Sequence, residues 1–81
     1  MHKIVPLTEL KDNEYGRVVD VIGGHGLVRN LEAMGIFPGV KIKAKSRQFK
    51  AGPIVISIGN TQIAIGYGMA RKILVEPIKE G

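Results

Sequence analysis

Acid–base or metal chemistry in this chain would have to pass through His25, since the only other histidine is His2 at the N-terminal end. His25 lies in the run Gly23-Gly24-His25-Gly26, with Asp20 and Glu32 as the carboxylates nearest in sequence. A divalent metal such as ferrous iron takes ligands of these types. The close spacings that build a site, such as two histidines four residues apart on a helix, are missing, so the sequence favours a solvated loop histidine and assigns no metal ligand. Nucleophilic catalysis is no better served: there is no cysteine, and Thr8, Ser46, Ser57 and Thr61 have no histidine close in sequence. The glycine loop runs from a strand into a helix, where a phosphate could bind, but it lacks the Lys-Ser/Thr of a P-loop. Tight-turn geometry explains these glycines better. No catalytic residue and no cofactor are expected, and the chain does not read as an enzyme.

Binding chemistry is better represented. Lys41, Lys43, Lys45 and Arg47 recur at every second position, and Lys50 follows. In a strand such a row projects from one face. The ten residues 41–50 contain five cations and no acid, so the remainder of the chain, with seven basic and seven acidic residues, is neutral and the whole net charge of +5 sits in this segment. One reading is a solvated outer face whose lysines discourage edge-to-edge pairing. The other is an electrostatic docking surface. Nucleic acid is the obvious rival partner, yet four phosphate contacts would lose roughly 10²-fold in affinity between about 50 and 200 mM salt. Single-strand binders also stack bases on aromatic platforms, and of Tyr15, Phe37, Phe49 and Tyr67 only Phe49 falls within the basic segment. Specific nucleic-acid binding is therefore not expected. Proline-rich peptides need aromatic-lined grooves, and the chain has no tryptophan. An acidic patch on a protein partner fits best. The candidate partner-binding residues are Lys41, Lys43, Lys45 and Arg47, with Phe37 and Met34 supplying apolar contact.

The elements that position these groups follow from periodicity. Ala51 to Ala70 carries no charge, nominally enough to span a bilayer. Its interior contains Pro53, Gly59, Asn60 and Gln62, and Ile54, Ile56, Ile58, then Ile63 and Ile65, alternate with a period of two. That pattern predicts a half-buried hairpin turning at Gly59-Asn60, not a membrane helix. Strands are also expected over 17–22, 40–45 and 71–76, the last ending before Pro77. Leu27, Leu31 and Met34 predict a helix over 27–34, capped by Gly35 with Ile36 packing back on it. Pro38-Gly39 fits the centre of a type II turn. About five short strands and one helix, in a single domain over 1–81, must curl to bury one apolar face. A small SH3-like barrel, mainly β, is the economical solution, with an OB-type barrel, which usually needs longer strands, as the alternative. The lack of cysteine points to a reducing compartment, and the N-terminal residues show no apolar run suited to a signal peptide, so a cytoplasmic setting is expected.

The order of these features resembles one family. Leu7-x-x-Leu10 precedes Gly16-x-Val18. A glycine-rich loop and short helix then end in Leu31-x-x-Met34-Gly35-Ile36-x-Pro38-Gly39, followed by Gly52-Pro53-Ile54, Ile63-Ala64-Ile65-Gly66, Ala70 and Ile73-x-Val75. This is similar to the FeoA family, small SH3-like proteins of bacterial ferrous iron transport, and the resemblance covers nearly the whole chain. It implies a non-enzymatic accessory role, with a FeoB-like ferrous iron permease as partner through its cytoplasmic GTPase region. Related domains end iron-dependent repressors, so an independent module binding a transition metal ion or nucleic acid is the alternative, and weak self-association through a strand edge is a further expectation. Two positions depart from the family pattern. Asn13 stands where glycine is usual, and asparagine tolerates the left-handed conformation. Asn30 stands where a basic residue is frequent, with Arg29 one place earlier.

Overall fold

The computed structural model describes residues 3–46 and 52–79. Six strands, β1 (Val5–Pro6), β2 (Tyr15–Val21), β3 (Lys41–Ser46), β4 (Ile54–Ile58), β5 (Thr61–Ile65) and β6 (Ile73–Ile78), form one antiparallel sheet in the order β1-β6-β2-β3-β4-β5. A 3-10 turn (Leu7–Glu9) follows β1, helix α1 (His25–Ala33) joins β2 to β3, and a single helical turn, α2 (Tyr67–Ala70), joins β5 to β6. The β-rich expectation holds, with one more strand than the periodicity revealed. Closure is achieved differently from a continuous ladder. Among the described residues no strand pairing joins β1 to β5. Instead α2, at the end of β5, packs against the 3-10 turn that follows β1.

The core is where the alternating side chains meet. Val18 from β2, Ile42 and Ala44 from β3, Ile54 and Ile56 from β4, Ile65 from β5, and Ile73 and Val75 from β6 are all buried, together with Leu7, Leu10, Leu31 and Ile36. Burial of each such aliphatic side chain contributes about 1.5–3 kcal/mol, which is what holds so short a chain in sheet form. Gly16 is required by this packing: a Cβ there would lie 3.0 Å from Leu10 Cδ1 and 3.2 Å from Val75.

Local chemistry accounts for the turns. Helix α1 ends in a Schellman motif, in which the Gly35 N–H donates to the Glu32 carbonyl (2.9 Å) and the Ile36 N–H to the Leu31 carbonyl (2.8 Å). Gly35 takes φ +87°, and Ile36 buries itself beside Leu31 as the motif requires. Val40 N–H donates to the Phe37 carbonyl around Pro38-Gly39, with Gly39 at φ +99°, the type II arrangement. Asn13 adopts φ 69°, and its N–H donates to the Ala44 carbonyl. In the β4–β5 hairpin Ile58 pairs with Thr61, leaving Gly59-Asn60 as a two-residue turn.

Several expectations are corrected. The final strand runs from Ile73 to Ile78 and includes Pro77, which pairs with Gly16. Among the described residues β1 pairs only with Leu74 and Val75, so the proline interrupts no ladder on that side. Helix α1 begins at His25, so this histidine is an exposed first-turn residue of the helix and not part of the loop. Strand β3 lies between β2 and β4. Its lysines therefore do not guard a sheet edge.

Candidate functional site

Strand β3 alternates as the sequence predicts: Ile42 and Ala44 point into the core, while Lys41 is exposed and Lys43 and Lys45 are half-buried on the other side. The register against β2 sets Lys43 opposite Tyr15 and Lys41 opposite Arg17. Both lysines then reach the same ring, with Lys41 Nζ 5.1 Å and Lys43 Nζ 5.3 Å from the Tyr15 centroid. Each such contact contributes about 0.5–1 kcal/mol at an exposed site. Held against one ring, the two ammonium groups are positioned by it, which lowers the entropy cost of engaging an anion. Beyond Ala44 the pairing of β3 with β4 shifts register, Ser46 opposing Val55, so Lys45 sits at an irregularity of the ladder. Arg47 lies outside the described residues.

Arg17 extends the cationic face towards the 37–40 turn. Its Nη1 donates to the Gly39 carbonyl at 2.9 Å, tying the strand to the loop that carries Phe37. On the far side of Arg17 the register places Glu76 of β6. The basic surface is thus bounded by an acid and is narrower than the composition suggests.

The apolar half of the expected site divides in two. Phe37 is 45% exposed. Together with Pro38, Ile36, Val21 and Val28 it lines a shallow groove of about 70 Å³, rimmed by Asp20 and Glu32. Met34 is half-buried against the core and does not line this groove. Asp20 accepts a hydrogen bond from the Val21 N–H (2.8 Å), which fixes its carboxylate on the rim. Among the described residues no three His, Asp or Glu side chains gather as a metal-ligand group. A second, larger hollow of about 350 Å³ between the chain start and β6 mixes Lys3 and Lys11 with Glu9, Glu14 and Glu76.

The lysine row and Phe37 were legible in the sequence, whereas the pairing of that row with Tyr15 and Arg17 and the acids beside the Phe37 groove were not. The available signal was the alternation of Tyr15 and Arg17 at the head of a strand that a helix connects antiparallel to β3.

Comparison with known proteins decides the kinship. A family model described as the FeoA domain matches residues 5–77. The chain belongs to the FeoA family. It is 40% identical over 76 residues to a protein of Methanocaldococcus jannaschii that bears the name Fe(2+) transport protein A, covering 94% of this chain and 90% of that relative. A crystal structure of an iron uptake regulatory protein, FeoA, superposes with a TM-score of 0.85 at 37% identity, covering 94% of this chain and 99% of the other. A manganese-dependent transcriptional repressor superposes equally well, TM-score 0.85, over 96% of this chain and 44% of the repressor. At 20% identity that likeness concerns fold alone. The six-stranded antiparallel sheet is the SH3-like architecture of the FeoA neighbours. FeoA is an accessory family of ferrous iron transport. Among the described residues no helix is long and apolar enough to cross a membrane.

Proposed function

We propose that this FeoA-family chain is a non-enzymatic accessory protein that docks, in the cytoplasm, on the GTPase region of a FeoB-type ferrous iron permease. The observation that carries the reading is the lysine pair held over Tyr15 on an interior strand. An interior strand is hydrogen-bonded on both sides, so its side chains are presented by rigid backbone. The Lys41–Lys43–Arg17 face steers and orients an acidic partner patch, while Phe37 supplies the apolar contact that outlasts encounter. Lys45 and Met34 drop to supporting roles.

The test is a titration of the permease's soluble GTPase domain with this chain and with the Lys41→Glu/Lys43→Glu variant. Placing carboxylates opposite an acidic patch costs several kcal/mol, so affinity should fall by at least roughly tenfold, which corresponds to about 1.4 kcal/mol. Equal affinity for the two proteins refutes the assignment of this face.

A further inference from the structure

The sheet has two ends, and they are built differently. At one end β1 is two residues long and contains Pro6, both of which blunt an edge. At the other end lies β5, Thr61–Ile65, with the sequence TQIAI, which has neither a proline nor a charged residue. Its pairing with β4 dictates which backbone groups are spoken for. The two-residue turn makes Ile58–Thr61 the hydrogen-bonded closing pair, and alternation makes Ile56–Ile63 and Ile54–Ile65 hydrogen-bonded too. The N–H and C=O groups of Gln62 and Ala64 therefore point away from β4, off the end of the sheet, and both residues are exposed. Among the described residues β5 pairs with no strand other than β4.

We propose that β5 pairs with the β5 of a second copy of this chain, extending the sheet across a two-fold axis. An antiparallel arrangement centred on Ile63 sets Gln62 opposite Ala64 of the second copy and Ala64 opposite Gln62. In this register the outward groups of both residues meet their complements, forming four backbone hydrogen bonds, and any one-residue slip loses them. Ile63, half-buried on the core side with Ile56, faces its own counterpart as the closer, non-hydrogen-bonded pair.

Charge selects the same surface. Two copies carrying +5 each repel, but β4 and β5 contain no charged residue. The lysines of β3 lie two strands inward from β5, so the two lysine rows would stand five strand spacings apart, about 24 Å. That is three Debye lengths at physiological salt, and the repulsion is screened. Foreign strands find no charge on β5 to select them, whereas a second copy finds its own register. Four hydrogen bonds and one isoleucine pair make a small interface, with a dissociation constant on the order of 1 mM. This inference is independent of the docking reading, since it uses the outer edge of β5 and not the β2–β3 face.

Sedimentation equilibrium of the full chain up to about 1 mM, with amide hydrogen exchange followed over the same range, tests it. The Gln62 and Ala64 amides should become protected as concentration rises and dimer accumulates. Ala64→Pro removes one outward N–H that β4 does not use, a substitution edge strands accept, so it should keep the native circular dichroism and remain monomeric. Gln62→Lys brings like charges to the axis at an exposed position and should also remain monomeric, which covers the case in which the proline variant does not fold. A chain monomeric at every concentration, or both variants dimerising like the parent, overturns the proposal. Protection of the Gln62 and Ala64 amides only when a different protein is added also overturns it.

Discussion

Phe37 is carried on a short segment bracketed by Gly35 and Gly39, and both glycines adopt positive φ, +87° and +99°. At each, an added Cβ would meet no atom within 4 Å, so replacement by alanine introduces no collision and its cost is purely conformational. Forcing an L-residue into this region costs roughly 1–2 kcal/mol, and the loss of unfolded-state freedom returns about 0.4–1 kcal/mol. A net destabilisation of about 1 kcal/mol is expected for Gly35→Ala and for Gly39→Ala. With an unfolding entropy of about 2.1 cal/mol/K per residue, a chain of 81 residues should lose about 6 °C of Tm for each. Gly26 is the internal control. It lies in α1 with negative φ and equally open space around its Cβ position. Alanine there should raise stability by about 0.5–1 kcal/mol, because helix propensity now works in its favour. Thermal and urea unfolding of the three variants, followed by circular dichroism, would show two losses and one gain. A Gly26→Ala loss as large as that at Gly39 would refute the backbone argument, since side-chain space is the same at all three sites.

Close packing predicts a different hierarchy at two other glycines. Gly16→Ala drives a methyl into Leu10 and the Val75 backbone-proximal Cβ at 3.0–3.2 Å and should cost about 1–3 kcal/mol by overpacking. At Gly23 the nearest atom is the tip of Leu27, Cδ2, which can swing aside, so Gly23→Ala should cost clearly less in the same urea titration. Stopped-flow association with the permease's GTPase domain should slow by roughly tenfold or more between about 0.05 and 0.5 M salt, with dissociation little changed. Salt-independent association would remove the lysine face from the encounter. Tyr15→Leu should keep the fold but weaken binding by a few-fold, because the lysines lose the ring that holds them; binding equal to the parent's would show the ring to be incidental.

What the sequence disclosed was governed by short-range physics. The β4–β5 hairpin, the Schellman end of α1 and the Pro38-Gly39 turn each depend on residues within about a dozen positions of one another, and all are present as the spacing predicts. Asn13 likewise adopts the conformation its residue type allows. What escaped depends on long-range order. Val5–Pro6 is too short to show a period and becomes a strand only because β6 offers an edge. Gly66-Tyr67-Gly68 opposes helix by propensity, yet the chain turns helically there to bring Ala70 into the core. Pro77 reads as a stop, and only the strand order shows that among the described residues β1 does not pair alongside it. The candidate site follows the same division. Lys41 and Lys43 are legible as a row, but their meeting over Tyr15 requires the β2–β3 register, which links residues 28 positions apart in the chain. The acidic rim of the Phe37 groove arises where β2 passes α1, a contact no local pattern encodes.

Footprinting the interface residue by residue asks the decisive question. Cross-saturation NMR of the isotope-labelled chain, mixed with the unlabelled soluble GTPase domain of the permease, reads which amides lie against the partner. The account predicts transfer concentrated on Tyr15, Arg17, Lys41, Lys43 and the 37–40 turn, with β5 silent. Transfer centred on β5, or on the hollow between Lys11 and Glu76, with the lysine strand untouched, would contradict it.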